Sequence, residues 1–235
     1  MRTPSVSDRR VLWWATAAWA ALLLAWDASL LDVSIAAWFG GAAGFPLKEH
    51  WLFSAVLHEG GRLAAWAFVL GLSLMVWWPR GIFRRIDTSR RLQLVLSAFA
   101  AVLLISSLKA FSRTSCPWDL AEFGRVARHV SHWTWGVGDG GSGHCFPAGH
   151  AAAGFAFFGG YFVFVAQAPG VARAWLGAAV IAGLSFGVAQ QVRGAHFMSH
   201  TLWTGWLCWC VALALDALRG TFEPRLALAL EPQDD

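Results

Sequence analysis

The sequence predicts an all-α integral membrane protein with six transmembrane helices and a long outer loop between helices 3 and 4. Of its 235 residues, 57% are hydrophobic and 14% are charged, whereas soluble domains carry about one quarter charged residues. Sixteen Trp against one Tyr supply rings suited to membrane interfaces. Apolar segments near the ~20 residues that cross a bilayer as a helix recur along the chain.

The apolar segments contain neither an internal repeat nor a second domain, so we treat residues 1–235 as one domain. Alternation of period two over ~10-residue units is missing, which disfavours a β-barrel. We expect Trp51–Leu57 to form a short amphipathic piece at the membrane interface. The six predicted spans are Val11–Leu31, Arg62–Trp78, Leu92–Phe111, Ala148–Gln167, Ala174–Val192 and Met198–Leu218.

The first segment follows Arg9 and Arg10, as the apolar part of a signal peptide would. Its apolar stretch is longer than an ordinary signal core, and no clear cleavage site closes it. We therefore interpret it as an uncleaved first helix. A cleaved signal peptide is the alternative.

The arginines outside the helices give the predicted orientation, because cytoplasmic connections collect positive charge. Six crossings place all of these connections on one side, the cytoplasm of a bacterial inner-membrane protein. The net charge of +4 therefore reflects topology, and nothing indicates a nucleic-acid partner. The connections carry Arg2, Arg9 and Arg10, then Arg80, Arg84, Arg85, Arg90 and Arg91, then Arg173, and finally Arg219 and Arg225.

The opposite, outer face collects all eight histidines and both lysines of the chain. Ordinary loops do not usually gather every histidine of a protein, so we expect the functional site at this face. The residues are His50, His58, His129, His132, His144, His150, His196, His200, Lys48 and Lys109.

The first candidate cluster is KAFSRTSCPWD, Lys109–Asp119, at the outer end of the third predicted helix. Lys109 and Arg113 are four residues apart, which on a helix places them on one face, and Pro117 is expected to end that helix. An ammonium beside a planar guanidinium suits a phosphate group. Two cations that snorkel to the membrane boundary are the alternative.

The second cluster is HCFPAGH, His144–His150. Pro147 stands where a helix can begin, so Ala148, Gly149 and His150 would fall in its first turn. The free N–H groups of such a turn suit an anion. An ordinary membrane helix with an interfacial histidine explains the same residues.

The third cluster is RGAHFMSH, Arg193–His200, at the start of the sixth span. On a helix, Arg193, His196 and His200 would line one face. A neutral imidazole is a nucleophile, but two histidines at this spacing can also bind zinc. The HExxH pattern is missing, and no acidic residue lies nearby in sequence as a third ligand.

The three clusters end on the same side of the membrane and together describe phosphoryl transfer, with cations for the oxygens and histidines for attack and protonation. Their order, Lys…Pro, then Pro-x-Gly-His, then Arg…His between Lys109 and His200, resembles the type 2 phosphatidic acid phosphatase superfamily. Its membrane members remove phosphate from lipid phosphates and diphosphates at the non-cytoplasmic face, without metal or other cofactor.

The resemblance implies a role for each matching residue. His196 matches the nucleophile that becomes phosphorylated, and His150 matches the general acid for the leaving group. Lys109, Arg113 and Arg193, with the backbone of Ala148 and Gly149, would hold the phosphate.

Four positions depart from the motifs of that superfamily. Cys116 and Gln190 stand where it has arginines, and we expect Arg113 and Arg193 to supply those charges. Ala148 replaces a serine, which removes one hydroxyl donor to the phosphate. The four departures are Cys116, Ala148, Gln190 and His200.

The departure at His200 affects the nucleophile, because the superfamily has an aspartate there that orients the attacking imidazole. A neutral histidine accepts the same hydrogen bond but supplies no negative charge. Asp119 or Glu122 in the outer loop would supply that charge instead.

Cys116 and Cys145 lie on the predicted oxidising side, each next to a phosphate motif. We predict a disulfide between them that joins the first motif to the second. Two nearby free thiols are the alternative. Cys208 and Cys210 fall in the middle of the last helix and would face lipid or core.

The outer loop, Leu120–Gly143, is long for a connection without structure of its own. We expect it to cover the site as a lid, with Trp118, Trp133 and Trp135 resting in the headgroup region. A simple interfacial loop is the alternative.

These expectations amount to a metal-independent phosphatase of lipid phosphates or diphosphates at the periplasmic face of the membrane. An isoprenyl (undecaprenyl) diphosphate is the first substrate to consider, followed by lipid A and phosphatidylglycerol phosphate. A lipid phosphotransferase would use the same residues. A histidine-rich metal-binding or transport protein is the alternative from another class.

Overall fold

The computed structural model of the chain describes residues 6–134 and 136–230. The predictions for Arg2 and Trp135 lie outside these residues, and the side chains of Arg9 and Arg225 are not described either. The helices are α1 (Val6–Ala28), α2 (Leu31–Ala36), α3 (Gly61–Trp77), α4 (Thr88–Phe111), α5 (Ala152–Phe155), α6 (Gly159–Phe164), α7 (Pro169–Val192) and α8 (Met198–Leu230).

Five helical runs in the described part of the chain are long and apolar enough to cross a membrane, and many of their large apolar side chains point outward. Trp14 is 76% exposed and Leu103 is 69% exposed, as expected of helices whose surroundings are lipid. The all-helical, multi-pass prediction is therefore confirmed. The five runs are Arg10–Ala28, Leu52–Arg85, Thr88–Phe111, Pro169–Val192 and Met198–Gly220.

The predicted fourth span, Ala148–Gln167, differs from the others. Its helical part is only Ala152–Phe164, in which a 3₁₀ turn separates α5 from α6. Almost every residue of this segment is buried, because it lies inside the bundle against α4, α7 and α8. The structure thus has five candidate spans and one shorter internal segment where the sequence predicts six spans.

A pair of glycines allows the internal segment to approach α7 closely. A Cβ atom on Gly154 would collide with the backbone of Gly183, and one on Gly183 would collide with the ring of Phe155. Small residues of this kind let membrane helices pack with their backbones in contact. The contact fixes the position of α5, which begins two residues after His150.

The predicted interfacial piece, Trp51–Leu57, is not a separate element. Leu52–Gly60 forms a π-helix that runs directly into α3. π-Helical turns are rare and often occur at functional sites. This one carries His58 at the outer face of the bundle.

The inner end of the bundle is joined by hydrogen-bonded charges. Asp87 caps α4 by accepting from the N–H of Arg90 at 2.8 Å. The Arg90 side chain pairs with Asp216 of α8 at 3.0 Å, and Gln93 donates to the same carboxylate. With these ends of α4 and α8 joined, their opposite halves support the two sides of one site.

Candidate active site

Lys109 lies in the last turn of α4, which ends at Phe111. Because Ser112 is already extended, Arg113 is not on the same helical face as Lys109, and that prediction is wrong. Arg113 is exposed and donates to the carbonyl of Gly136 in the outer loop at 3.2 Å. The prediction that Pro117 ends this helix is also wrong, since Pro117 begins a separate 3₁₀ turn.

The HCFPAGH segment forms a turn ahead of α5 rather than its first helical turn. The N–H of Ala148 donates to the carbonyl of His200 at 3.3 Å, so this amide is not available to a phosphate as predicted. Within the described residues, the amides of Gly149 and His150 have no protein acceptor. These two N–H groups remain for a ligand.

The RGAHFMSH segment is a tight turn between two helices, so its predicted continuous helical face is wrong. α7 ends at Val192 and α8 begins at Met198. Gly194 adopts a φ of +76°, a conformation open to glycine without steric cost. The turn nevertheless buries Arg193 and His196 at the outer end of the bundle, at 8% and 3% exposure.

Arg193 is held in place by two acceptors. Its Nε donates to the carbonyl of Lys48 at 2.8 Å, and its Nη1 donates to Oε1 of Gln190 at 3.2 Å. Gln190, at the position where an arginine was expected, thus positions the arginine that the chain does have. In the described part of the chain Nη2 of Arg193 has no hydrogen-bond partner.

Lys109, His150, Arg193 and His196 converge within electrostatic reach of one another. Burial lowers the pKa of His150 to about 4, and the nearby charges of His58, Lys109 and Arg193 act in the same direction. Burial also holds the pKa of His196 well below its usual value, again helped by Lys109 and His150. Both imidazoles are therefore neutral at pH 7.

His58 belongs to this group, although the sequence showed only that it lies at the outer face. Its ring stacks on that of His150, with centroids 3.8 Å apart. Its Nδ1 is 2.9 Å from Glu59, which also pairs with Arg62. His150 in turn has a buried Nε2 without a hydrogen-bond partner, as a group that awaits a ligand would.

The surroundings of His196 and His200 differ from the predicted arrangement. The two rings are 5.9 Å apart, and the Nδ1 of His196 faces the sulfur of Cys145 at 3.6 Å. His200 is 1% exposed, and its Nδ1 has no hydrogen-bond partner. His200 therefore makes no described hydrogen bond to His196.

The carboxylate on this side of the site comes from α1 rather than from the outer loop. Asp119 accepts from Ser142 and Glu122 is exposed, and among the described residues neither carboxylate has a hydrogen bond to His196 or His200. Asp27 instead contacts His132 at 3.4 Å, and the ring of His132 is 5.6 Å from that of His200. No local motif marks Asp27, because the contact spans more than one hundred residues.

The whole chain was compared with known proteins. The profile of the PAP2 superfamily matches residues 90–222, more than half of the chain. The chain belongs to the PAP2 superfamily. No match was found among curated proteins or among solved structures.

Membership of the PAP2 superfamily implies phosphatase activity on phosphate esters. The matched region runs from the start of α4 to the last described side chains of α8, and it contains all three predicted motifs. It also contains Cys116 and Cys145, which form a disulfide in the structure with their Cα atoms 5.1 Å apart. Cys208 and Cys210 are free thiols, and Cys208 is buried.

The outer loop of this PAP2 protein is folded onto the site region. Asp139, from the run GVGDGGSG, is buried and accepts from both the N–H and the hydroxyl of Ser115. Trp133 donates to Asp27 at 2.8 Å. The ring of His132 stacks on Phe146, with centroids 4.0 Å apart. The loop thus packs over the disulfide side of the site, and its action as a lid stays a prediction.

The 240 Å³ groove between α3, α4 and α5 is the last part of the site. Lys109, His150 and Arg62 line its outer end, and mostly apolar side chains line the rest, with Ser106 among them. Its walls include Trp66 and Phe99, which are 50% and 44% exposed on the outside of the bundle. The groove therefore joins the polar site to the surface that faces lipid.

Proposed function

We propose that this PAP2 protein is a phosphatase of lipid phosphates or diphosphates that works at the periplasmic face of a bacterial inner membrane. The observation that carries the proposal is the apolar groove, because it ends at Lys109 and His150. A soluble phosphate ester needs no such groove. A lipid phosphate needs a polar end for its headgroup and an apolar wall for its chain.

The length of the groove fits a lipid chain. It follows α4 from Lys109 to Ala98, eleven residues apart, which is about 16 Å along a helix axis at about 1.5 Å per residue. Half of a hydrocarbon core of about 30 Å is similar in length. A lipid chain that spans one leaflet would lie along the groove while its phosphate stays at Lys109.

The headgroup site supplies positive charge and N–H donors from different elements. Lys109 comes from α4, Arg193 from the turn before α8, and the amides of Gly149 and His150 from the turn before α5. Arg62 of α3 lines the same end of the groove and would take the role that was predicted for Arg113. Such preorganised donors stabilise the charge that develops on transferred phosphoryl oxygens.

The proposed chemistry is a double displacement at phosphorus. Neutral His196 attacks, the bond from phosphorus to the leaving oxygen breaks, and His150, which takes up a proton as the phosphate binds, donates that proton to the leaving oxygen. Water then attacks the phosphohistidine, His150 takes the proton from the water, and His196 and inorganic phosphate are released. His200 has no described contact that would let it act directly, so we place it behind the nucleophile.

Among lipids, we propose an isoprenyl (undecaprenyl) diphosphate as the first substrate to test, followed by lipid A and phosphatidylglycerol phosphate. The cations suit a diphosphate, because Lys109, Arg62 and Arg193 come from three elements and offer donors to more than one phosphoryl group, although Glu59 already pairs with Arg62. The groove supports any of the three, since each has a chain to place in it.

The test is phosphate release from these lipids by purified protein in detergent, with and without chelator. We expect His196→Ala to lower kcat by about three orders of magnitude or more. His150→Ala should lower kcat by roughly 100-fold to 10,000-fold, as loss of a general acid does. Chelator should leave the wild-type rate unchanged.

The matched control is His50→Ala, which removes an exposed outer-face histidine that does not line the groove and should keep the wild-type rate. A soluble alkyl phosphate provides the second comparison and should be a far poorer substrate than a lipid with the same headgroup. Full activity in His196→Ala would reject the nucleophile assignment. Equal kcat/KM for the soluble and lipid esters would reject the lipid assignment.

A further inference from the structure

Three potential metal ligands meet behind the nucleophile. The sulfur of Cys145 and one ring nitrogen each from His196 and His200 all lie within 4.8 Å of one another, and all three residues are buried. The sequence offered no nearby acidic residue as a third ligand. In the structure, a cysteine from the second motif stands at that place. One thiolate with two imidazoles is a ligand set that zinc accepts.

A second observation points to a ligand at the same place. The Nδ1 of His200 is buried and has no hydrogen-bond partner, although His200 is 1% exposed. Buried polar atoms are nearly always satisfied, and this nitrogen is one of the buried polar atoms in the described residues that are not. A cation that His200 binds through this nitrogen would satisfy it.

The disulfide controls whether Cys145 can act as a ligand. While its sulfur is bonded to Cys116 it carries no thiolate charge, and the thiolate is the form that binds metals. The same sulfur contacts Nδ1 of His196 at 3.6 Å and the carbonyl of Ala195 at 3.0 Å. Opening the disulfide would therefore release a thiol directly beside the nucleophile.

We propose that Cys145, His196 and His200 form a zinc-binding site that opens only when the Cys116–Cys145 disulfide is reduced, and that zinc bound there inhibits the enzyme. The inhibitory part rests on the proposed function, because it needs His196 as nucleophile. The zinc-binding site itself does not depend on the proposed function. A fourth position is left for water, as in many three-ligand zinc sites.

The chemistry of opening is a two-electron exchange with a dithiol reductant. The S–S bond of Cys116 and Cys145 breaks, the reductant forms its own disulfide, and each cysteine gains one hydrogen. Cys145 then loses its proton to water as it binds zinc, since the thiolate is the ligand. Cys116, at 9% exposure against 0% for Cys145, is the sulfur that a reductant reaches more easily.

The geometry requires only a small closure. Ligand atoms around a tetrahedral zinc with bonds of about 2.0–2.3 Å lie about 3.5 Å apart, so the three atoms would approach by about 1 Å. Side-chain rotation in the turn that carries His196 provides such a movement. Zinc on Nδ1 of His196 then draws electron density from the ring that attacks phosphorus, and the proposed reaction stops.

The test compares two variants that lack the same disulfide. Cys116→Ala leaves Cys145 as a free thiol, whereas Cys145→Ala removes the ligand, and both keep Cys208 and Cys210. Each protein is titrated with Co²⁺ in detergent, where a thiolate ligand gives a near-ultraviolet charge-transfer band. We expect the band at one Co²⁺ per chain in Cys116→Ala, and its loss when Zn²⁺ is added.

The other samples should give no band: Cys145→Ala, and oxidised wild type until a phosphine reductant is added. An equal band in Cys145→Ala, or no band in Cys116→Ala, would overturn the site. Circular dichroism checks that both variants fold. If Cys116→Ala does not fold, reduced wild type against reduced Cys145→Ala decides the question in the same way.

Lipid phosphate hydrolysis gives the second readout. Zn²⁺ should bring Cys116→Ala to background activity, chelator should restore it, and Cys145→Ala should be far less affected. A band without any change in hydrolysis would overturn the inhibitory role. If none of the proteins, wild type included, hydrolyses any lipid phosphate, the proposed function fails while the Co²⁺ band still decides the metal site.

Discussion

At the scale of single residues, the two histidines assigned to chemistry are neutral for the same reason. Both are buried among positive groups, and both sit where an imidazolium would meet Lys109. Neutrality suits His196, since an unprotonated ring is the nucleophile. For His150 it means that the proton is acquired with the substrate, because the negative charge of a bound phosphate raises the pKa of a nearby imidazole.

The lowered pKa of His196 predicts the acid side of the activity profile. Protonation removes the nucleophile, so activity falls as the pH drops through that pKa. With the pKa well below the ordinary 6.5, the acid limb of kcat/KM should lie below pH 6.5. The measurement is kcat/KM against pH for two lipid phosphates whose own phosphate pKa values differ. A limb that lies at the same pH for both substrates belongs to the enzyme and not to the substrate. An enzyme limb at or above pH 6.5 would contradict the assignment.

Residue types were easier to predict from the sequence than their contacts. Lys109, His150, Arg193 and His196 were found because each is a polar residue at the end of an apolar run, and the structure brings them together. The prediction for Arg113 was wrong, because the helix ends two residues before it. The periodicity of the sequence does not show where a helix ends. Asp27 depends on a contact between distant parts of the chain, which no local pattern contains.

At the scale of elements, the glycine contact between α5 and α7 sets the position of the turn that carries His150. The two backbones touch at Gly154 and Gly183, and the ring of Phe155 fills the adjoining space. Any side chain at this contact would push α5 away from α7. The turn at Gly149 and His150 would move with it, away from Lys109.

Gly183→Ala should therefore destabilise the protein by about 1–3 kcal/mol, as overpacking does, and should lower the rate of phosphate release. Gly177→Ala is the matched control in the same helix, since a Cβ there meets nothing within 4 Å. The control should be neutral or slightly stabilising, because alanine favours a helix over glycine. The melting temperature in detergent, followed for both variants, checks this. Equal melting temperatures would show that the contact is not tight.

The sequence located the long helices well and the internal segment less well. α4 and α7 begin at chemical boundaries, Asp87 as a cap and Pro169 in the first turn, so their limits agree with the prediction to within five residues. Ala152–Phe164 is as apolar as the spans around it, although protein surrounds it. Composition does not distinguish an apolar segment that faces lipid from one that faces other helices.

At the scale of the whole molecule, the two ends of the bundle differ in chemistry. The end that is predicted to be cytoplasmic pairs several of its arginines with acidic groups and carbonyls, as Arg90 does with Asp216. The outer end gathers histidines and leaves hydrogen-bonding atoms of Arg193 and His150 without partners. This asymmetry is expected of a membrane enzyme whose site faces one compartment.

The orientation predicts opposite labelling of two variants, each with one added cysteine, in whole cells. Val137→Cys, in the exposed part of the outer loop, should react with a membrane-impermeant maleimide. Arg85→Cys, exposed at the other end, should react only after the cells are permeabilised. Wild type gives the background from Cys208 and Cys210. Labelling of Arg85→Cys in intact cells would reverse the proposed orientation.

For the proposed lipid substrate, the sideways opening of the groove past Trp66 and Phe99 means that the substrate arrives by diffusion in the two dimensions of the membrane. The reaction rate then depends on the mole fraction of lipid in the bilayer rather than on its bulk concentration. The two products also separate. The dephosphorylated lipid diffuses back along the groove into the membrane, while inorganic phosphate leaves to the aqueous side. Because the products enter different phases, their chance of meeting again at the site is small, which lowers the rate of the reverse reaction.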